Sequence, residues 1–131
     1  MYKRQNYTIP NTNTNSSIAD SQIGFKRGNL FNNLYDEYKN YKPQELKVSN
    51  EREDLILQID ENRFAIIELG LYLDLYPNDI NALNKYNSYL KKEKELITIY
   101  ESKYGPMTLN SPVQTNIWLW NNSPWPWEVQ K

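Results

Sequence analysis

The stretch Phe64-Ala65-Ile66-Ile67-Glu68-Leu69-Gly70-Leu71-Tyr72-Leu73-Asp74-Leu75-Tyr76 decides the fold, because it is too apolar for a helix with one buried face. Leu55, Ile59, Ile66, Leu69, Leu73 and Tyr76 fall on one stripe at spacings of three, four or seven. Phe64, Ile67, Leu71 and Leu75 form a second stripe, displaced around the axis. A helix apolar on most of its circumference is buried on most sides, and one antiparallel neighbour covers only one of them. The sequence therefore predicts a partner helix and, beyond it, a second covering surface.

Outward from this stretch, both ends of the helix are marked. Asn50 with Glu53 fits a capping pattern, and Glu51, Glu53 and Asp54 put negative charge in the first turn. Pro77 pushes the residue before it out of the α region, so the helix ends near Leu75. Gly70 inside it either admits another backbone closely or is a tolerated imperfection. A second helix follows, capped by Asn78 or Asp79, with a stripe of Leu83, Tyr86, Leu90, Ile97, Tyr100 and Tyr104 interrupted by Glu93. Lys103, Gly105 and Pro106 mark its end. Lys91-Lys92-Glu93-Lys94-Glu95 reads as its solvated face. The first helix carries seven acids and two bases, net −5; the second carries four acids and five bases, net +1. The expected fold class is all-α: an antiparallel two-helix hairpin over residues 50–105, with extended or disordered N-terminal and Trp-rich C-terminal tails.

The flanks carry less pattern. Residues 1–22, rich in Asn, Thr and Ser, read as a disordered tail. Residues 23–49 repeat anchors such as Phe31, Leu34 and Tyr35 between glycines and polar residues, with no sustained helical period. Two readings stay open there: a linker, or a short element that docks its Leu and aromatic side chains on a partner. Residues 106–131 form a Pro/Trp-rich tail in which Trp118, Trp120, Trp125 and Trp127 lie within ten residues. Such a cluster either folds back on the helices or inserts into another protein.

Composition narrows the function. Fifteen basic residues against sixteen acidic ones, without a basic strip, argue against nucleic acid. No cysteine means no disulfide and no thiolate; no histidine removes the commonest general base and the imidazole metal ligand. Glu61 and Glu68, seven apart, share a helix face, but two helices without histidine do not make a carboxylate-bridged metal site. There is no phosphate-cradling loop and no nucleophile elbow. The apolar run 64–76, interrupted by Glu68 and Asp74, is shorter than the ~20 residues of a membrane span. The start of the chain has no apolar core, so it does not read as a signal peptide, and the chain is expected to be made in the cytoplasm. Neither an enzyme nor a cofactor, metal, membrane or nucleic-acid binder is expected.

Several of these residues together carry a resemblance: Phe64-Ala65, Leu69-Gly70-Leu71-Tyr72-Leu73-Asp74, Pro77, Asp79, Ala82-Leu83, Tyr86-Asn87, Tyr104-Gly105-Pro106 and Trp125-Pro126-Trp127. From about Leu55 to Glu128 the chain resembles the CotJB family of small bacterial spore-coat proteins, encoded beside CotJA and a manganese-catalase-like coat protein, CotJC. The family usually has an acidic residue and a Thr-His pair around positions 68–76, where this chain has Leu75-Tyr76 before the proline, so no role of that histidine carries over. Lys26-Arg27-Gly28-Asn29-Leu30-Phe31-Asn32-Asn33-Leu34-Tyr35 is similar to the Gly-Thr-Leu-Phe-x-x-Leu-Tyr signature of CotJA, with Asn29 in place of Thr. The resemblance implies a structural component deposited in the spore coat that binds other coat proteins, the manganese-catalase-like one among them. The residues expected to bind it are Phe31, Leu34, Tyr35, Phe64, Ile67, Leu71, Leu75, Trp118, Trp120, Trp125 and Trp127. The rival is a homo-oligomer in which two hairpins make a four-helix bundle with no dedicated partner.

Overall fold

A computed structural model describes residues 18–122. Of residues 1–22, expected to be a disordered tail, 1–17 lie outside the described residues, as do Trp125 and Trp127, whereas 18–22 are ordered, with Ala19 and Ser21 buried. The described chain is all-α: a short helix α1 (Ser21–Arg27), a 3₁₀ turn (Asn32–Leu34), two long helices α2 (Glu51–Leu75) and α3 (Ile80–Tyr104), and a 3₁₀ turn (Leu119–Asn121). Among the described residues β structure is limited to an isolated bridge between Ile18 and Phe31. No helix among them is long and apolar enough to cross a membrane.

The limits of α2 and α3 follow from local chemistry. Asn50 Oδ1 accepts the Glu53 N–H at 2.9 Å, and Glu53 Oε2 accepts the Ser49 N–H at 2.7 Å, a capping box shifted by one residue at its return arm. Of the two candidate caps for α3, Asp79 is the one used. Its carboxylate accepts the Ala82 N–H at 3.0 Å and the Tyr72 hydroxyl at 2.8 Å, which ties the last turn of α2 to the first of α3. These donors, the Ala82 amide first, hold the Asp79 carboxyl below its ordinary value. That part of the stability is present above pH 3.8 and is lost as the pH falls through the lowered value. At the far end Gly105, at φ 102°, takes a backbone conformation open to glycine, and its N–H reaches the Glu101 carbonyl at 3.2 Å.

The start of α2 lies against the end of α3. Arg52 donates to the Tyr100 hydroxyl at 3.0 Å, the Tyr104 hydroxyl donates to Glu51 at 3.1 Å, and Lys103 pairs with Glu51. Midway, Arg63 meets Glu93 at 2.6 Å, so the polar interruption of the α3 stripe is a paired side chain. That stripe sits slightly off the sequence expectation: Ala82, Leu96 and Tyr100 are buried, whereas Leu83 and Tyr104 are exposed. Alanine scores weakly in any hydrophobic pattern, yet at a helix crossing its small side chain is what fits.

The core has two parts. Leu55, Ile59, Leu96 and Tyr100 form one, backed by Ile56, Ile97 and Met107. Leu30, Phe31, Ala65, Leu69 and Ala82 form the other, toward the turn that joins the long helices. Asn62 is buried in α2 between the two sets of α2 core residues; its amide nitrogen donates to the Gln58 carbonyl at 2.6 Å and its Oδ1 has no partner among the described residues.

Leu30 and Phe31 correct the expectation for residues 23–49. The segment is neither a linker nor a free docking arm at this point: α1 starts at Ser21 and packs on α2. Gly28, at φ 77°, ends it, with the Gly28 and Asn29 amides both donating to the Gly24 carbonyl. The chain then reverses, Ala19 donates to the Leu30 carbonyl at 2.9 Å, and Leu30 and Phe31 enter the core. The glycines that argue against a long helix are what allow this packing. A Cβ on Gly24 would stand 2.8 Å from Leu30 Cδ1 and 3.1 Å from Leu30 Cα.

Gly70 behaves differently. A Cβ there would meet only Tyr86 Cε2, at an ordinary 3.9 Å. No backbone approaches, so Gly70→Ala is expected to raise stability by about 1 kcal/mol through helix propensity. A thermal melt followed by circular dichroism checks this, and a lowered midpoint would contradict it.

Candidate protein-binding surface

The eleven residues expected to bind a partner separate into distinct environments. Phe31 is 5% exposed and stacks on Tyr72 with ring centroids 5.0 Å apart, so most of its apolar surface is spent inside the fold. Phe64 is half-buried against α1, edge-on to Phe25 at 5.9 Å. Tyr35 is half-buried under the Arg27 guanidinium, 4.8 Å from its ring centroid. The segment 18–35 thus supplies, within the chain, part of the second covering surface that α2 demands.

It does not supply all of it. Ile67, Leu71 and Leu75 stay 61%, 61% and 57% exposed. Spaced by four, they form a straight ridge along α2. Leu34, exposed beside them, helps to wall an open groove of about 330 Å³ with Leu71, Tyr72, Leu75 and Tyr76. Contiguous exposed apolar surface of this kind marks interaction sites.

A second apolar patch sits after α3. Met107 packs on the Leu55–Tyr100 cluster, and Glu101 accepts the Met107 N–H at 3.0 Å, bending the chain back. Leu119 approaches Gly105, where a Cβ would come within 3.3 Å of it. Trp120 is half-buried, and its indole N–H is enclosed without a partner among the described residues. Trp118 remains 56% exposed, beside exposed Leu109 and Ile117. Trp125 and Trp127 lie outside the described residues.

The carboxylates singled out in the sequence do not converge. Glu68 accepts the Leu30 N–H at 3.4 Å, the long limit of a hydrogen bond. Glu61 is buried to 9% exposure beside α1, and removal from water raises its pKa above the usual 4.5. Among the described residues no group of three His, Cys, Asp or Glu side chains could hold a metal ion. A carboxyl whose folded pKa is raised binds more protons folded than unfolded, so its contribution is best below pH 4.5 and worsens as the pH rises through the raised value. Glu61→Gln is therefore expected to be more stable than the parent at neutral pH, with the difference closing toward pH 4.5. Urea titrations at the two pH values measure this, and a pH-independent difference would contradict it.

No curated protein and no solved structure matches the chain. A family model described as CotJB protein matches residues 53–128, more than half of the chain. That range takes in nearly all of α2, the whole of α3 and the tryptophan-bearing segment, and it begins after the N-terminal segment that packs on α2. The two long helices, their Pro77–Asp79 connection and the apolar ridge thus lie inside the matched region, and the chain belongs to the CotJB family and is a spore-coat-related protein.

Proposed function

We propose that the chain is a non-enzymatic assembly component of the spore coat, made in the mother cell and built into the coat by binding other coat proteins, foremost the manganese-catalase-like one. The observation that carries this reading is the exposed ridge Ile67, Leu71 and Leu75 on a helix whose other large apolar side chains are buried or half-buried. The Trp118 patch after α3 offers a second contact, so two apolar surfaces separated along the helix pair suit a component that bridges neighbours. Exposed apolar side chains of this number favour association in water, since each one buried contributes on the order of 1.5–3 kcal/mol.

Light scattering on the full chain, alone and mixed with the manganese-catalase-like coat protein, tests this. The expected result is one defined complex on mixing. A discrete oligomer of the chain alone that ignores that protein would replace the reading with a self-contained bundle of two helix pairs.

A further inference from the structure

We infer that the Ile67–Leu71–Leu75 ridge takes an amphipathic helix of another protein, one whose aliphatic ridge is flanked by lysine or arginine, and not a second copy of this chain. This rests on the proposed function and specifies the partner's chemistry.

The shape calls for a helix. Three aliphatic side chains at a spacing of four form the ridge that interdigitates with a like ridge on a crossing helix. The groove alongside it, between α2 and the Asn32–Leu34 turn, is walled mostly by apolar and aromatic side chains, with Asn29, Asn33 and Glu68 as its polar members.

The charge disfavours antiparallel pairing of two copies through this ridge. Asp60 and Asp74 stand seven residues before and after Ile67, on the same face, and both are exposed. Among the described residues neither has an ion-pair partner, while Arg63, the basic residue nearest the ridge on α2, is already held by Glu93. The last turn of α2 holds no basic residue, so the negative end of its dipole adds to the field of Asp74. Antiparallel two-fold pairing of α2 on itself centred at Ile67 sets Asp60 against Asp74; centred at Leu71 it sets Glu68 against Asp74. Either register brings like charges together around an apolar contact, which selects against that pairing. A partner with basic flanks meets the same rim with opposite charge.

The test uses two fluorescent helical peptides with leucines at i, i+4 and i+8, one flanked by lysines and the other by glutamates, titrated into the full chain. The lysine-flanked peptide is expected to bind at least about tenfold more tightly, with the advantage shrinking as salt is added. The double variant Asp60→Lys with Asp74→Lys, both at exposed positions, should reverse the preference while keeping the parent's melting curve. Binding of neither peptide, equal binding of both, or a preference unmoved by the charge reversal would overturn the inference. So would a dimer of the lone chain that Ile67→Asp dissolves. If the coat-protein complex forms but the charge preference fails, this inference alone falls. If that complex never forms, the proposed function falls whatever the peptides do.

Discussion

Leu30→Ala should destabilise the protein by about 2–5 kcal/mol, the range for truncating a fully buried leucine. Leu30 has no exposed surface and packs with Phe31 against Ala65 and Leu69. It is also the residue over which Gly24 closes and whose carbonyl takes the Ala19 N–H. Shortening it leaves a cavity that cannot collapse easily, because Ala65 and Ala82 on the opposite walls have no side chain to extend into it. The damage should be local first. Hydrogen exchange at Ala19 and along α1 should accelerate well before the amides of α2 and α3, which keep their own ladder and caps. Chemical denaturation measures the total, and exchange rates locate it. A loss under ~0.5 kcal/mol, such as Leu34→Ala at its exposed position should show, would mean that residues 18–35 are not anchored as described.

Ile67→Asp with Leu71→Asp should leave the fold nearly intact and abolish assembly. Both positions are exposed, so the new carboxylates stay hydrated and the cost to folding is about 1–2 kcal/mol from propensity and from repulsion with each other, Glu68 and Asp74. In a complex the same carboxylates are taken out of water against apolar surface without a partner. Two central anchors at upward of ~1.4 kcal/mol each correspond to roughly a hundredfold weaker binding or worse. The readouts are the melting curve, which should stay cooperative with a midpoint lowered by roughly 5–10 °C, and incorporation into the spore coat together with the light-scattering complex, which should be lost. Normal incorporation of the folded double variant would show that this ridge is not a contact.

The contrast between these substitutions marks where sequence reading succeeds. Leu30, Phe31, Ile67 and Leu71 are equally apolar as letters, yet two are core and two are surface. Helix periodicity separates the stripes of α2 and shows that one neighbour is insufficient, but it does not say which stripe the rest of the chain covers. Phe31 reads as a docking anchor because glycines surround it, and only Gly24 and Gly28 in their folded conformations turn it inward. Periodicity places Tyr100 in the α3 core stripe but puts exposed Leu83 there in place of buried Ala82, because alanine carries little hydrophobic signal.

The limits of the long helices, the cap at Asn50, the break at Pro77 and the stop at Gly105 were determined by sequence alone, because each depends on backbone chemistry within four residues, whereas the choice of Asp79 over Asn78 as the α3 cap was not. The excess of apolar surface on α2 was determined by sequence as well. Which part of that surface stays open was decided only by tertiary structure. Leu30 meets Glu68, 38 positions further along the chain, and contacts at that separation follow from the path of the whole segment rather than from any local spacing. Residues 18–35 lie over the flank of α2 that bears Phe64, Ala65 and Tyr72, and the ridge Ile67, Leu71 and Leu75 stays exposed.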